Sequence, residues 1–136
     1  MALRVPTPEA PLQVAVLDDN AMFRRTLVRL IARQPCLSVV AEGASGAELD
    51  ALLCADLEWL LLDLEVGRES GFELLSRCRI GAPDLGVILL TGHDPVALQQ
   101  GARDAGAHAC WSKSDLLRLL EELATHGCAP EPPART

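Results

Sequence analysis

At 136 residues the chain can bury one substantial hydrophobic core and is too short for two ordinary domains. Apolar residues make up 49% and aromatics only 3%, so the core must be built from Leu, Val, Ile and Ala, while a formal net charge of -7 excludes a large sequence-independent attraction to nucleic acid. The five cysteines, at 36, 54, 78, 110 and 128, form no Cys-x-x-Cys pair and read as reduced cytosolic thiols, and no run approaches the roughly 18 apolar residues that would span a membrane.

The opening MALRVPTPEAPL and the closing GCAPEPPART are rich in proline and small residues and lack periodicity. Residues 1–12 and 127–136 are therefore expected to be flexible, flanking one folded unit over 13–126. Its first element is the strand-like VAVL at 14–17, followed by a helical pattern over 21–33 in which Met22, Phe23, Thr26, Leu27, Leu30 and Ile31 share a side. Arg24, Arg25, Arg29 and Arg33 read as the solvated side of that helix. A second strand, LSVVAE at 37–42, precedes Ser45 and Glu48, whose spacing predicts a capping box opening a helix to about Ala55.

The third strand is WLLLD at 59–63, and the loop VGRESG leads into a helix over 72–79. GAPD turns the chain into the fourth strand, LGVILLT at 85–91. Asp94 and Pro95 fit an N-cap and a first-turn proline for a helix ending near Ala105 and Gly106. A short fifth strand over 108–111 follows, and Ser114 is expected to cap a last helix to about Thr125, with Leu116, Leu117, Leu119, Leu120 and Leu123 as its buried stripe. Five strands alternating with five helices imply an α/β fold with a parallel sheet covered on both faces.

In such sheets ligands bind beyond the carboxyl ends of the strands. Asp18 and Asp19 follow the first strand, Asp63 ends the third, Thr91 ends the fourth, and Lys113 lies just past the fifth. Each taken singly could be a helix cap, a β-branched strand residue or a solvated charge; their joint placement at four strand ends favours a common site. Three carboxylates in one crevice repel unless a cation lies between them, and a hard divalent ion such as Mg²⁺ answers that need. A carboxylate can also attack phosphorus, provided that metal and a positioned ammonium neutralise the transferring group. Lys113 can supply the ammonium and Thr91 a hydroxyl donor, and Gly92 leaves room for a phosphate.

The segments VAVLDDNAMFRRTLVRLI, WLLLDLEVGRESGFELL, VILLTG and AGAHACWSKSD resemble the receiver family of two-component signalling, and within it the receivers of helix-turn-helix transcription factors. The resemblance covers about 14–125. It implies a flavodoxin-like, doubly wound (βα)5 three-layer sandwich with strand order 2-1-3-4-5. It implies Asp63 as phosphoacceptor, Mg²⁺ held by Asp18, Asp19, Asp63 and the backbone carbonyl of Glu65, and phosphoryl oxygens gripped by Thr91 and Lys113. The implied donor is a histidine kinase or phosphotransfer protein, and the implied location is cytoplasmic. Output is expected through protein contacts on the fourth helix, fifth strand and fifth helix, from Val96 to Leu123, with homodimerisation left open and neither direct nucleic-acid nor membrane binding expected, the chain's length leaving no room for a DNA-binding domain. No turnover of an external substrate is expected, only self-phosphotransfer and slow autodephosphorylation.

Several positions depart from the family pattern. Val66 and Gly67 stand where a Met-Pro pair is usual, which predicts a more flexible loop after Asp63. Cys110 replaces the switch aromatic whose reorientation usually accompanies that of the Thr91 position, and Trp111 is expected on the opposite face of the strand. Ser114 stands where many receivers have proline, favouring a trans connection there. Glu65 and His93, two residues beyond Asp63 and Thr91, match positions that border the phosphoryl group. A phosphorylation-independent interaction module remains the alternative, and a hydrolase resembling the haloacid dehalogenases is disfavoured because its nucleophile would follow the first strand.

Overall fold

The computed structural model describes residues 4–53 and 55–129. The expectations for residues 1–3, 130–136 and Cys54 lie outside the described residues. In chain order the elements are β1 (Leu12–Leu17), α1 (Ala21–Ala32), β2 (Leu37–Gly43), a 3-10 turn (Gly46–Glu48) running into α2 (Leu49–Leu53), and β3 (Trp59–Asp63). Two-residue strands β4 (Glu65–Val66) and β5 (Glu69–Ser70) form a small hairpin before α3 (Gly71–Gly81). Then come β6 (Gly86–Thr91), α4 (Pro95–Asp104), β7 (Ala109–Ser112), a 3-10 turn (Lys113–Asp115) and α5 (Leu116–His126).

The main sheet is parallel throughout, in the order β2-β1-β3-β6-β7. Counting its strands alone, this is the expected 2-1-3-4-5. Side chains alternate across the sheet because the strand period is two. Val14, Val16, Trp59, Leu61, Ile88, Leu90 and Trp111 pack with Leu27 and Ile31 of α1 and Leu119 and Leu123 of α5. Ala15, Leu17, Leu60, Leu62, Leu89 and Cys110 turn to the other face, against Leu49 of α2, Leu74, Leu75 and Cys78 of α3, and Ala102 of α4. Both faces are therefore covered, which is why β3 and β6 are buried along their whole length. Among the described residues no helix is long and apolar enough to cross a membrane.

The structure corrects several local expectations. The capping box does not form: Ser45 makes no side-chain cap, and its hydroxyl lies 3.5 Å from the Glu48 carboxylate instead. The Glu48 N–H goes instead to the Ser45 carbonyl at 3.1 Å, and the helix is reduced to a 3-10 turn and the short α2, with Glu69 from the hairpin accepting the Gly46 N–H at 3.1 Å. Ser112 caps the turn before α5 by accepting from the Ser114 N–H, so Ser114 is not the cap. Met22 and Leu117 are 79% and 64% exposed and Thr26 is also exposed, since they fall outside the arc that i, i+3, i+4 and i+7 positions turn inward. Arg24 is not a solvated charge: its guanidinium donates to the Asp18 carbonyl at 2.6 Å and to Glu42 at 3.2 Å.

The described part of the N-terminal segment carries specific contacts. Arg4 donates to both carboxylate oxygens of Glu58 at 2.7 Å and to the carbonyls of Ala10 and Pro11, and Thr7 and Ala10 form a bridge. At the other end Ala129, three residues past α5, is buried in the core. The connection after Lys113 is trans, with no cis peptide among the described residues.

Candidate functional site

The carboxyl ends of β1, β3, β6 and β7 open into one crevice of about 300 Å³, lined among others by Asp19, Asp63, Glu65, Thr91, Gly92, His93 and Lys113. At the end of β1, Asp18 is 1% exposed. One of its carboxylate oxygens accepts the Asn20 N–H at 2.8 Å and the other accepts from Lys113 Nζ at 3.1 Å. Asn20 in turn caps α1 by accepting the Phe23 N–H. Asp19 is exposed and accepts the Gly67 N–H at 2.9 Å.

Asp63, the last residue of β3, is 6% exposed. Its Oδ1 lies 3.3 Å from Lys113 Nζ and accepts the Glu65 N–H at 3.3 Å. Carboxylate oxygens of Asp18, Asp19 and Asp63 all lie within 4.8 Å of one another. Lys113 thus bridges Asp18 and Asp63, and its ammonium also lies 4.3 Å from the centre of the Phe23 ring. Thr91, buried at the end of β6, accepts the His93 N–H at 3.0 Å, which leaves its own hydroxyl proton to donate into the crevice. A β-carbon added at Gly92 would meet nothing within 4 Å, so the space beside this backbone is open.

Burial pushes the Asp63 carboxyl up to about 6, with the neighbouring Asp18 charge acting in the same direction and Lys113 and the Glu65 N–H only partly offsetting it. Burial alone would lower the Lys113 ammonium, but hydrogen bonding by Asp18 and the charges of Asp63 and Asp18 outweigh it and hold it above its ordinary value. Three carboxylates facing one ammonium leave excess negative charge in a half-closed space. An all-oxygen donor set of this kind suits a hard cation such as Mg²⁺ or Ca²⁺, so the residues present fit the expected metal.

All the sequence-predicted side chains reach this crevice or its floor except Cys110. That side chain is fully buried on the α3 and α4 side of the sheet, with its thiol pushed up to about 11 by burial, while Trp111 is buried on the opposite side. Sequence reasoning missed Phe23, Arg24, Glu69 and Gln99. Gln99 of α4 accepts the Cys110 N–H at 2.9 Å and donates to the Cys110 carbonyl at 3.0 Å, closing the outward backbone of edge strand β7. No local pattern marks such a contact. The four described cysteines are free thiols.

A family model described as response regulator receiver domain matches residues 14–124. Among curated proteins, the transcriptional regulatory protein UhpA of Escherichia coli is 35% identical over 120 residues, covering 85% of this chain and 60% of that protein. The nitrate/nitrite response regulator protein NarP of Escherichia coli is 35% identical over 119 residues, covering 85% and 55%. The chain thus spans only a little over half the length of these relatives. Among solved structures, the signal receiver domain of the response regulator NarL from Mycobacterium tuberculosis is similar with TM-score 0.72 and 24% identity, over 84% of this chain and 96% of that one. A response regulator from Burkholderia pseudomallei, crystallised with a phosphorylated aspartic acid, calcium ion and citrate, is similar with TM-score 0.70 and 25% identity, over 82% and 65%.

Proposed function

The chain belongs to the response regulator receiver domain family, and from that premise we propose that Asp63 takes a phosphoryl group from a histidine kinase or phosphotransfer protein in the cytoplasm and signals to a protein partner by changing shape. The observation that carries this reading is the meeting of three carboxylates within 4.8 Å with the Lys113 ammonium between Asp18 and Asp63. Asp18, Asp19, Asp63 and the Glu65 backbone carbonyl would hold Mg²⁺. When bound, the ion supplies positive charge that keeps Asp63 ionised and neutralises phosphoryl oxygens.

An Asp63 carboxylate oxygen attacks phosphorus; an oxygen–phosphorus bond to aspartate forms as the donor's bond to phosphorus breaks, and the leaving group departs with the electron pair. Lys113 and Thr91 orient and neutralise the transferred oxygens. Attack by water on phosphorus regenerates the carboxylate and releases inorganic phosphate. Glu65 and His93 border its path, and no external substrate is turned over. The phosphorylated aspartate and calcium ion named for the Burkholderia pseudomallei protein support the same chemistry at Asp63. The face from α4 through β7 to α5 is the proposed output surface, for a protein partner or a second copy.

The test is intact-protein mass after incubation with acetyl phosphate and Mg²⁺. One phosphoryl adduct is expected on the wild type, and none on Asp63→Asn or without metal. A phosphorylation-independent binding module is the second reading, favoured by the buried Cys110 and its Gln99 clamp, which leave no aromatic to reorient. Folded wild type that takes no adduct yet binds its partner as Asp63→Asn does would select it.

A further inference from the structure

The loop after Asp63 lacks the usual Met-Pro pair, yet it is not left loose. Val66, Gly67, Arg68 and Glu69 make a tight hairpin between β4 and β5, with Gly67 at φ 62, the left-handed region where glycine is favoured at the first central position of such a turn. The hairpin is braced at both ends. At its tip, the Gly67 N–H donates to Asp19 at 2.9 Å. At its return strand, the Glu69 carboxylate accepts the Gly46 N–H at 3.1 Å. Arg77 of α3 donates to the Gly46 carbonyl at 3.1 Å and to Asp50 at 3.4 Å, and lies 3.9 Å from Glu69. The two backbone polar groups of one buried residue, Gly46, are therefore gripped, the N–H by a carboxylate and the carbonyl by a guanidinium. Glu69 lies so close that a β-carbon added at Gly46 would overlap its carboxylate.

We propose that Glu69 is a positioning residue for the acidic site: by docking the hairpin on Gly46 it holds the Glu65 carbonyl and, through Gly67, the Asp19 carboxylate in the geometry a divalent cation needs. This rests on the proposed role of Asp18, Asp19, Asp63 and Glu65 as metal ligands. Neither Glu69 nor Gly46 lines the crevice, so neither can ligate the metal and their influence on its ligands runs through backbone placement. A charge-assisted hydrogen bond to a buried peptide N–H suits that task, because losing it leaves the Gly46 N–H unsatisfied and frees the turn after Asp63.

The experiment compares wild type, Glu69→Ala, Glu69→Gln and Gly46→Ala by two readouts: Mg²⁺ affinity by NMR titration of the backbone amides, and amide exchange of residues 65–70 in metal-free protein. Each variant is first shown to unfold cooperatively. Glu69→Ala and Gly46→Ala are expected to weaken Mg²⁺ on the order of tenfold, the lower end of what losing an outer-shell partner costs a metal site, and to speed exchange at 65–70. Glu69→Gln keeps an acceptor for the Gly46 N–H and is expected to restore most of both. Mg²⁺ affinity unchanged in Glu69→Ala and Gly46→Ala overturns the proposal, even if exchange quickens, because the brace is then structural alone. If the wild type itself binds no Mg²⁺, it is the metal-site reading that fails, and the proposal with it; that result is distinct from a wild type that binds metal indifferently to Glu69.

Discussion

In its proposed role Asp63 meets two demands that conflict in the metal-free protein: it is buried, and it would have to be ionised to react. Its carboxyl, raised from an ordinary 3.8 to about 6, is favoured in the protonated form on folding. That contribution to stability is present below the unfolded value and is lost as pH rises through about 6. Asp63→Asn without metal is therefore expected to be more stable than wild type at pH 8, by on the order of 1 to 3 kcal/mol, with the difference gone near pH 4. Urea denaturation in chelator checks this; an equal difference at both pH values would refute the assignment of the strain to Asp63 ionisation. Mg²⁺ bound as proposed would compete with the proton for the same oxygens, so any rise in Tm it causes should grow from pH 5 to pH 8.

At the scale of elements, the Gln99 side chain of α4 is hydrogen-bonded to β7 at the position where the family's switch usually lies. Gln99 satisfies both the N–H and the carbonyl of buried Cys110, so the contact fixes the distance between helix and edge strand as well as the register. Gln99→Ala leaves both groups unpaired and is expected to cost about 1 to 3 kcal/mol. Gln99→Glu, which keeps the acceptor and loses the donor, should fall between. Chemical denaturation measures the stability, and quickened amide exchange confined to α4 and β7 would separate a loosened junction from general destabilisation; an unchanged midpoint for Gln99→Ala would mean water replaces the clamp without loss. A larger residue at Cys110 meets a filled interior, which is why restoring an aromatic by single substitution is expected to overpack the α3 and α4 side of the sheet.

Over the whole molecule, the segments 4–11 and 127–129 meet on the side of the sheet opposite the crevice. Gly127 terminates α5 at φ 74, and a β-carbon there would overlap the Arg4 carbonyl of the N-terminal segment, which is itself tied to Glu58 just before β3. Gly101, inside α4, has open space around it. The same Gly→Ala substitution should therefore act with opposite signs: a loss of about 1 to 3 kcal/mol at Gly127 from left-handed strain, compounded by displacement of Arg4, and a gain of up to about 1 kcal/mol at Gly101 from helix propensity. Thermal unfolding of the two variants decides it, and equal effects would remove the proposed contact between the ends.

The alternation of apolar runs with helical periods determined the layer order, and the parallel topology it implies carried Asp18, Asp63, Thr91 and Lys113 to one end of the sheet without any knowledge of side-chain positions. Strand and helix periods are local properties, and parallel strands must all present their carboxyl ends on the same side. The contacts that tune the site were decided only in three dimensions. Glu69 reaches Gly46 across 23 positions and Lys113 reaches Asp18 across 95, and neither pairing leaves a trace in periodicity. The Ser45 and Glu48 spacing pointed to a capping box, yet the Ser45 carbonyl takes the Glu48 N–H and the segment opens as a 3-10 turn, while a carboxylate from the hairpin holds the Gly46 N–H beside it. A local signal states what a segment can do alone, and partners brought close by packing, such as Glu69 on the Gly46 N–H, decide how it is held.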